Sequence, residues 1–180
     1  MSLRKRLKSK VVLLSILATI TCACYAKIHI NLTDIGQHIY PADSLMRIDV
    51  IVPDAVRDNM QDISGVHQAF KADNIYRTSQ GDWLVVDEVV GKHELIKYAV
   101  AINKDGTIKQ IEIMDYVESY GHQVAEANWR QQFVGKTVAS TIKLNKDIDN
   151  ISGATLSCKH IADGVKRVMI MYNEVLKPLK

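Results

Sequence analysis

Seven consecutive residues, Asp149-Asn150-Ile151-Ser152-Gly153-Ala154-Thr155, set a carboxylate, two hydroxyls and a glycine just ahead of the last apolar-periodic segment of the chain. If a helix begins near Thr155, three features coincide at its mouth: backbone N–H groups without helical acceptors, the positive end of the helix dipole, and a glycine that lets a ligand approach the backbone. A phosphate is well held in such a place. The Thr155 hydroxyl adds a group that can itself be esterified, with the resulting charge stabilised by the same N–H groups. The residues equally describe a plain helix cap, with Ser152 or Thr155 as N-cap and Asp149 in the preceding turn. Spacing alone leaves both open.

The elements that must position this segment can be read from periodicity. Leu45 to Val52 alternates and is rich in branched residues, which predicts a strand closed by Pro53. A short helix is expected from Asp54 to Met60, with Asp54 as its cap. Three alternating runs follow, WLVVDEVV, LIKYAVAI and TIKQIEIMDYV, and the last two flank Asn103-Lys104-Asp105-Gly106, whose Asp-Gly pair signals a hairpin. Beyond them Gly121 breaks the strand, Asn128 can cap a short helix carrying Trp129 and Phe133 on one face, and Gly135 is placed to end it. Cys158, Ile161, Val165, Val168, Tyr172 and Val175 recur at intervals of three and four, the signature of a long amphipathic helix. Strands in sequence followed by a terminal helix indicate an α+β domain: an antiparallel sheet packed against a long C-terminal helix and shorter helices.

The 180-residue chain has a net charge of +3 that is concentrated at one end. Residues 1–26 hold five basic side chains, Arg4, Lys5, Arg6, Lys8 and Lys10, and no acid; the remainder carries 18 basic against 20 acidic residues. That balance argues against nucleic acid as a partner, since phosphate backbones need a clustered basic face. The basic start and the sixteen-residue run VVLLSILATITCACYA predict a signal peptide or an N-terminal membrane anchor over 1–26, with the body exported. Residues 27–44 are expected to form an irregular tether, and 45–180 the folded domain. Cys158 is the one cysteine of that domain, so no internal disulfide is expected. The six histidines lack ligand spacing, and no metal site is expected.

Asp149 to Thr155 resembles the D-x-x-[ST]-G-A-T signature of the FMN-binding domain family, which includes the flavin subunits of the sodium-pumping NADH:quinone reductase and of the Rnf complex and small stand-alone envelope proteins. The upstream order agrees: a strand after a Gly turn (DGTIKQIEIMDYVES), Glu118 and then Gly121, and an aromatic segment ending in FVGK, so that the likeness runs from Leu95 to Met171. Where many relatives have an E-T-P-G loop, this chain has Glu118-Ser119-Tyr120-Gly121-His122-Gln123. The segment HQVAEANWRQQFVGK is more similar to the stand-alone branch than to the pump subunits.

The resemblance implies FMN joined through a phosphoester to Thr155, with Ser152, Gly153, Ala154, Asp149, Glu118, Gly121 and His122 around it. It implies maturation by an ApbE-type FAD:protein FMN transferase, which uses Mg²⁺, and work as an electron carrier on the periplasmic or other extracytoplasmic face of the membrane. The carrier would take electrons from a membrane-bound reductase or electron-transfer complex and pass them to an extracytoplasmic acceptor. The flavin would supply the chemistry, and no trio of nucleophile, base and orienter is present in the sequence. His160, Lys159, Ser157, Tyr120, Trp129 and Phe133 are further candidates for contact with the cofactor, each with a structural alternative at the surface, within the helix or in the core. Two other functions stay open: a module that binds FMN or another phosphate ligand without a covalent bond, and an accessory envelope protein that docks a partner through residues 27–75.

Overall fold

The structure, a computed structural model, describes residues 27–179, and the export segment expected over 1–26 lies outside them. In chain order the elements are β1 (Ile28–His29), α1 (Leu32–Ile39), β2 (Leu45–Arg47), α2 (Asp54–Ser64), β3 (Ile75–Thr78), β4 (Trp83–Val90), β5 (Leu95–Ile102), β6 (Ile108–Tyr116), α3 (Ala127–Arg130) and α4 (Thr155–Met171). One antiparallel sheet holds all six strands in the order β1-β6-β5-β4-β3-β2. Strands β2 to β6 are a meander, and β1 lies at the far edge beside β6. The α+β class expected from the sequence is the class found.

Both faces of the central strands are covered. On one, α4 brings Cys158, Ile161, Val165 and Val168 onto Val85, Val89, Tyr98, Val100 and Ile111, all essentially inaccessible. Gly164 is required there, because any Cβ would collide with the Tyr98 hydroxyl and Val89. Beyond Met171 the helix runs on as a π-helical turn, Tyr172–Leu176. Beside the contact, Asp87 accepts hydrogen bonds from Tyr98 Oη (2.6 Å) and from Arg167 Nη2 (2.6 Å) and Nε (3.1 Å). Arg167, 1% exposed, also donates to the carbonyls of Gln68 and Glu88. One buried guanidinium thereby joins α4 to β4, β5 and the loop after α2.

The opposite face corrects the tether expected over residues 27–44. Ile28 and His29 pair with Tyr116 and Asp115 of β6, and α1 follows, capped by the Asn31 side chain, which accepts from Asp34 N–H at 2.9 Å. Ile35, Ile39 and Tyr40 bury against Leu84, Val86, Ala99, Ala101 and Met114. The physical reason is that Leu84, Val86 and Met114 would otherwise leave an apolar sheet face in water, and the small Ala99 and Ala101 make room for a helix.

Smaller differences have local causes. β2 ends at Arg47 instead of Val52, because β3 begins at Ile75 and, after one further bond from Ile48 N–H to the Ile75 carbonyl, offers nothing to pair with. α2 runs on to Ser64, closed by Gly65 at φ +73, with Pro53 as N-cap and Asp54 inside the first turn. The segment around Trp129 is a short chain of turns, with a 3₁₀ turn (His122–Ala125), α3, and a second 3₁₀ turn (Gln131–Phe133); Glu126, not Asn128, precedes α3. Among the described residues no helix is long and apolar enough to cross a membrane.

Candidate functional site

The first turn of α4 is the floor of a cleft of about 370 Å³ lined by Lys92, His93, Glu118, Ser119, Tyr120 and the run from Gly153 to Ser157. Three loops build it: the β4–β5 turn, the segment after β6, and the loop leading into α4. A volume of this order is that of a small-molecule site.

The helix starts without a side-chain cap. Its N-cap is Ala154, which has no acceptor to offer, and no cap hydrogen bond is made from any side chain. The N–H groups of the first turn have no helical acceptor by construction and meet the positive end of the dipole. The capping alternative of the sequence is therefore not what the fold uses: Ser152 is exposed outside the cleft lining, and Thr155 is the first helical residue. The Thr155 hydroxyl is exposed and accepts a hydrogen bond from Asn150 Nδ2 at 3.1 Å, which orients the oxygen and leaves its own proton available.

Gly121 locks the loop after β6 to this helix start. At φ +92 it occupies the left-handed region, and a Cβ there would stand 2.5 Å from Ala154 Cβ and 2.6 Å from Tyr116 Oη. The buried Tyr116 hydroxyl donates to the Tyr120 carbonyl at 2.5 Å and lies 3.1 Å from Ser157 Oγ. Ser157, a candidate for capping within its own helix, instead ties α4 to the end of β6. Burial pushes the Tyr116 phenol above its ordinary range, so the hydroxyl remains a donor.

The loop before the helix is pinned from the other side. Trp129 Nε1 donates to the Asp149 carbonyl at 2.8 Å, and Asp149 N–H donates to Gln132 Oε1 at 2.7 Å. Trp129 is buried edge-on against Phe133, with ring centroids 5.3 Å apart, so both aromatics belong to the core rather than to the cleft. The Asp149 side chain is exposed and outside the cleft lining.

Glu118 has a definite task. Its Oε1 accepts the backbone N–H groups of Lys92 (2.5 Å), His93 (2.7 Å) and Glu94 (3.1 Å), three successive residues of the β4–β5 turn. Partial burial raises its carboxyl, but these bonds and the nearby His93 outweigh it and hold the group below the usual carboxylate range.

Of the residues singled out in the sequence, the structure brings Glu118, Gly121, Gly153, Ala154 and Thr155 together. His122 is exposed at the start of its 3₁₀ turn and does not line the cleft. His160 Nδ1 lies 2.6 Å from the Val90 carbonyl, and Lys159 pairs with Asp163 at 2.6 Å, so both are engaged away from Thr155. Cys158 is fully buried, and burial pushes its thiol up, which removes it as a nucleophile. Sequence reasoning missed Lys92, His93, Asn150 and Tyr116. The legible signal for the first two was Gly91-Lys92-His93-Glu94 between two alternating runs, a turn that must cross the end of the sheet.

Residues 91–169 match the family model described as the FMN-binding domain. The match begins at the Gly91 turn and ends in the last turns of α4, so it spans every wall of the cleft. No curated protein matches the chain.

Proposed function

We propose that this chain, whose residues 91–169 match the FMN-binding domain model, carries its FMN on a phosphoester to Thr155 and works as an extracytoplasmic electron carrier. One observation supports the covalent form above all: a threonine hydroxyl, oriented by Asn150, stands at the uncapped start of α4 on the floor of a ligand-sized cleft.

The residues present suit this cofactor. The first-turn N–H groups accept the charge of a phosphate, Leu156 and Tyr120 give the rim apolar surface for a flat ring, and Gly153 and Ala154 keep the backbone approachable. When bound, the flavin supplies the capacity to take up and release electrons. The chain's part is to hold and orient it: Gly121 fixes the loop after β6 against Ala154, and Trp129 fixes the Asp149 backbone before the helix.

Attachment by an ApbE-type transferase forms the Thr155 Oγ–P bond as the pyrophosphate of FAD breaks. AMP leaves and the hydroxyl proton is lost. Asp149 and Ser152, exposed beside the cleft, are accessible to such an enzyme. A covalent bond has a physical rationale outside the cytoplasm, where no pool of FMN refills an emptied site. The electron donor by this reading is a membrane-bound reductase or electron-transfer complex.

Intact mass tests the proposal. Co-expressed with an active transferase, the wild type gains about 438 Da, FMN less one water, and Thr155→Val gains nothing. A wild type that stays unmodified while a control substrate is flavinylated removes the covalent bond and leaves a module that binds FMN reversibly.

A further inference from the structure

We propose that the β4–β5 turn is the second wall of the flavin site, in which Lys92 and His93, held in place by Glu118, answer the negative charge of the cofactor. The inference rests on the cleft being the FMN site.

The backbone of the turn is unusually determined for an exposed loop. Gly91 N–H bonds the Glu94 carbonyl at 2.7 Å, and the next three N–H groups all converge on one carboxylate oxygen. Gly91 is what permits this, because a Cβ there would lie 2.6 Å from Glu118 Oε1. With its amides turned inward to Glu118, the turn presents the Lys92 and His93 side chains to solvent and to the same cleft that Thr155 floors.

The charges do not simply cancel. Glu118 Oε1 is occupied by three backbone donors, which spread much of the carboxylate's charge into the turn, and Lys159, one helical turn beyond Thr155, is paired with Asp163. Among the cleft-lining residues the ammonium of Lys92, with the imidazole of His93 beside it, is the cationic group left to face a ligand. FMN brings negative charge to such a site twice, in its phosphate and, on reduction, in the ring. Lys92 and His93 then act by preferring the reduced cofactor, and Glu118 is a positioning residue that acts through them.

The test is the midpoint potential of the FMN-loaded, full-length protein, with loading confirmed by visible absorbance and mass. Lys92→Ala is expected to lose about tenfold of the preference for reduced flavin, equivalent to about 30 mV downward for a two-electron couple. The double variant with His93→Ala falls further, Lys92→Arg restores the wild-type value, and Lys104→Ala, an exposed charge removed from the hairpin at the opposite end of β5, leaves it unchanged. In a Glu118→Ala background, where the turn is freed, adding Lys92→Ala is expected to lower the potential by less than half of what it does in the wild type. Variants that load normally and keep the wild-type potential overturn the inference while leaving the flavin site intact. A wild type that takes up no FMN in any form overturns the site itself and this inference with it.

Discussion

Substituting Gly121 by Ala probes whether the loop after β6 and the start of α4 are locked together. Two costs add. At φ +92 a residue with a Cβ is strained by about 1–2 kcal/mol. The new methyl would also meet Ala154 Cβ at 2.5 Å and Tyr116 Oη at 2.6 Å, and overpacking of this kind costs about 1–3 kcal/mol more. The sum, about 2–5 kcal/mol, corresponds to a fall in Tm of about 4–20 °C for a protein of this size. Gly153→Ala is the internal reference: its φ of +83 carries the same backbone strain, but nothing lies within 4 Å of the added Cβ. The difference between the two Tm values, followed by circular dichroism, isolates the contact with α4. Ala154→Gly placed on top of Gly121→Ala removes one of the two collisions and is expected to recover part of the loss. If Gly121→Ala and Gly153→Ala melt together, the lock between the two walls of the cleft does not exist.

Four further outcomes are expected. Ile35→Ala costs about 2–5 kcal/mol in urea unfolding, as for any core truncation, whereas a residue in a loose tether would stay within about 0.5 kcal/mol of wild type. Arg167→Met strands the Asp87 carboxylate in the core and costs about 3–5 kcal/mol by the same assay, much of which is recovered when Asp87→Leu is added. Glu118→Gln changes stability in a pH-dependent way: the folded carboxyl titrates below its ordinary value of 4.5, so the wild-type advantage in Tm is complete above that value and fades as the pH falls through and below it. Asn150→Ala removes the hydrogen bond that orients Thr155 and slows flavinylation about fivefold, the equivalent of about 1 kcal/mol, in a mass-resolved time course.

The meander and the long terminal helix were legible because their signals are local. The alternation of β4 to β6, the Asn103–Gly106 turn and the spacing of three and four from Cys158 onward each lie within one segment of chain. The seven residues ending at Thr155 were legible for the same reason. What the sequence concealed were relations between segments. Ala99 and Ala101 are small because α1 rests on them, and nothing in residues 27–44 alone announces a sheet to pack against. Glu118 was singled out as a cofactor residue, yet its oxygen goes to the backbone of a turn some two dozen residues earlier in the chain. Lys92 and His93 looked like ordinary turn residues until that carboxylate folded them over the helix mouth. Asn150 fills an unspecified position of the motif, and only the geometry of its amide reveals that it serves Thr155.

The pairing of Ile28 with Tyr116 has a consequence for reach. Tyr116 is also the residue whose hydroxyl joins the Tyr120 carbonyl to the first turn of α4, so the described chain enters the fold at the cleft end of the sheet. There is no slack between that entry and the cleft: Ile28, the first residue of β1, already pairs with the scaffold of the site. On the proposed reading, a cofactor at Thr155 does not swing on a leash. Its excursion relative to Ile28 is that of the rigid body alone, so a contact that fixed the point of entry would fix the orientation of the cleft as well.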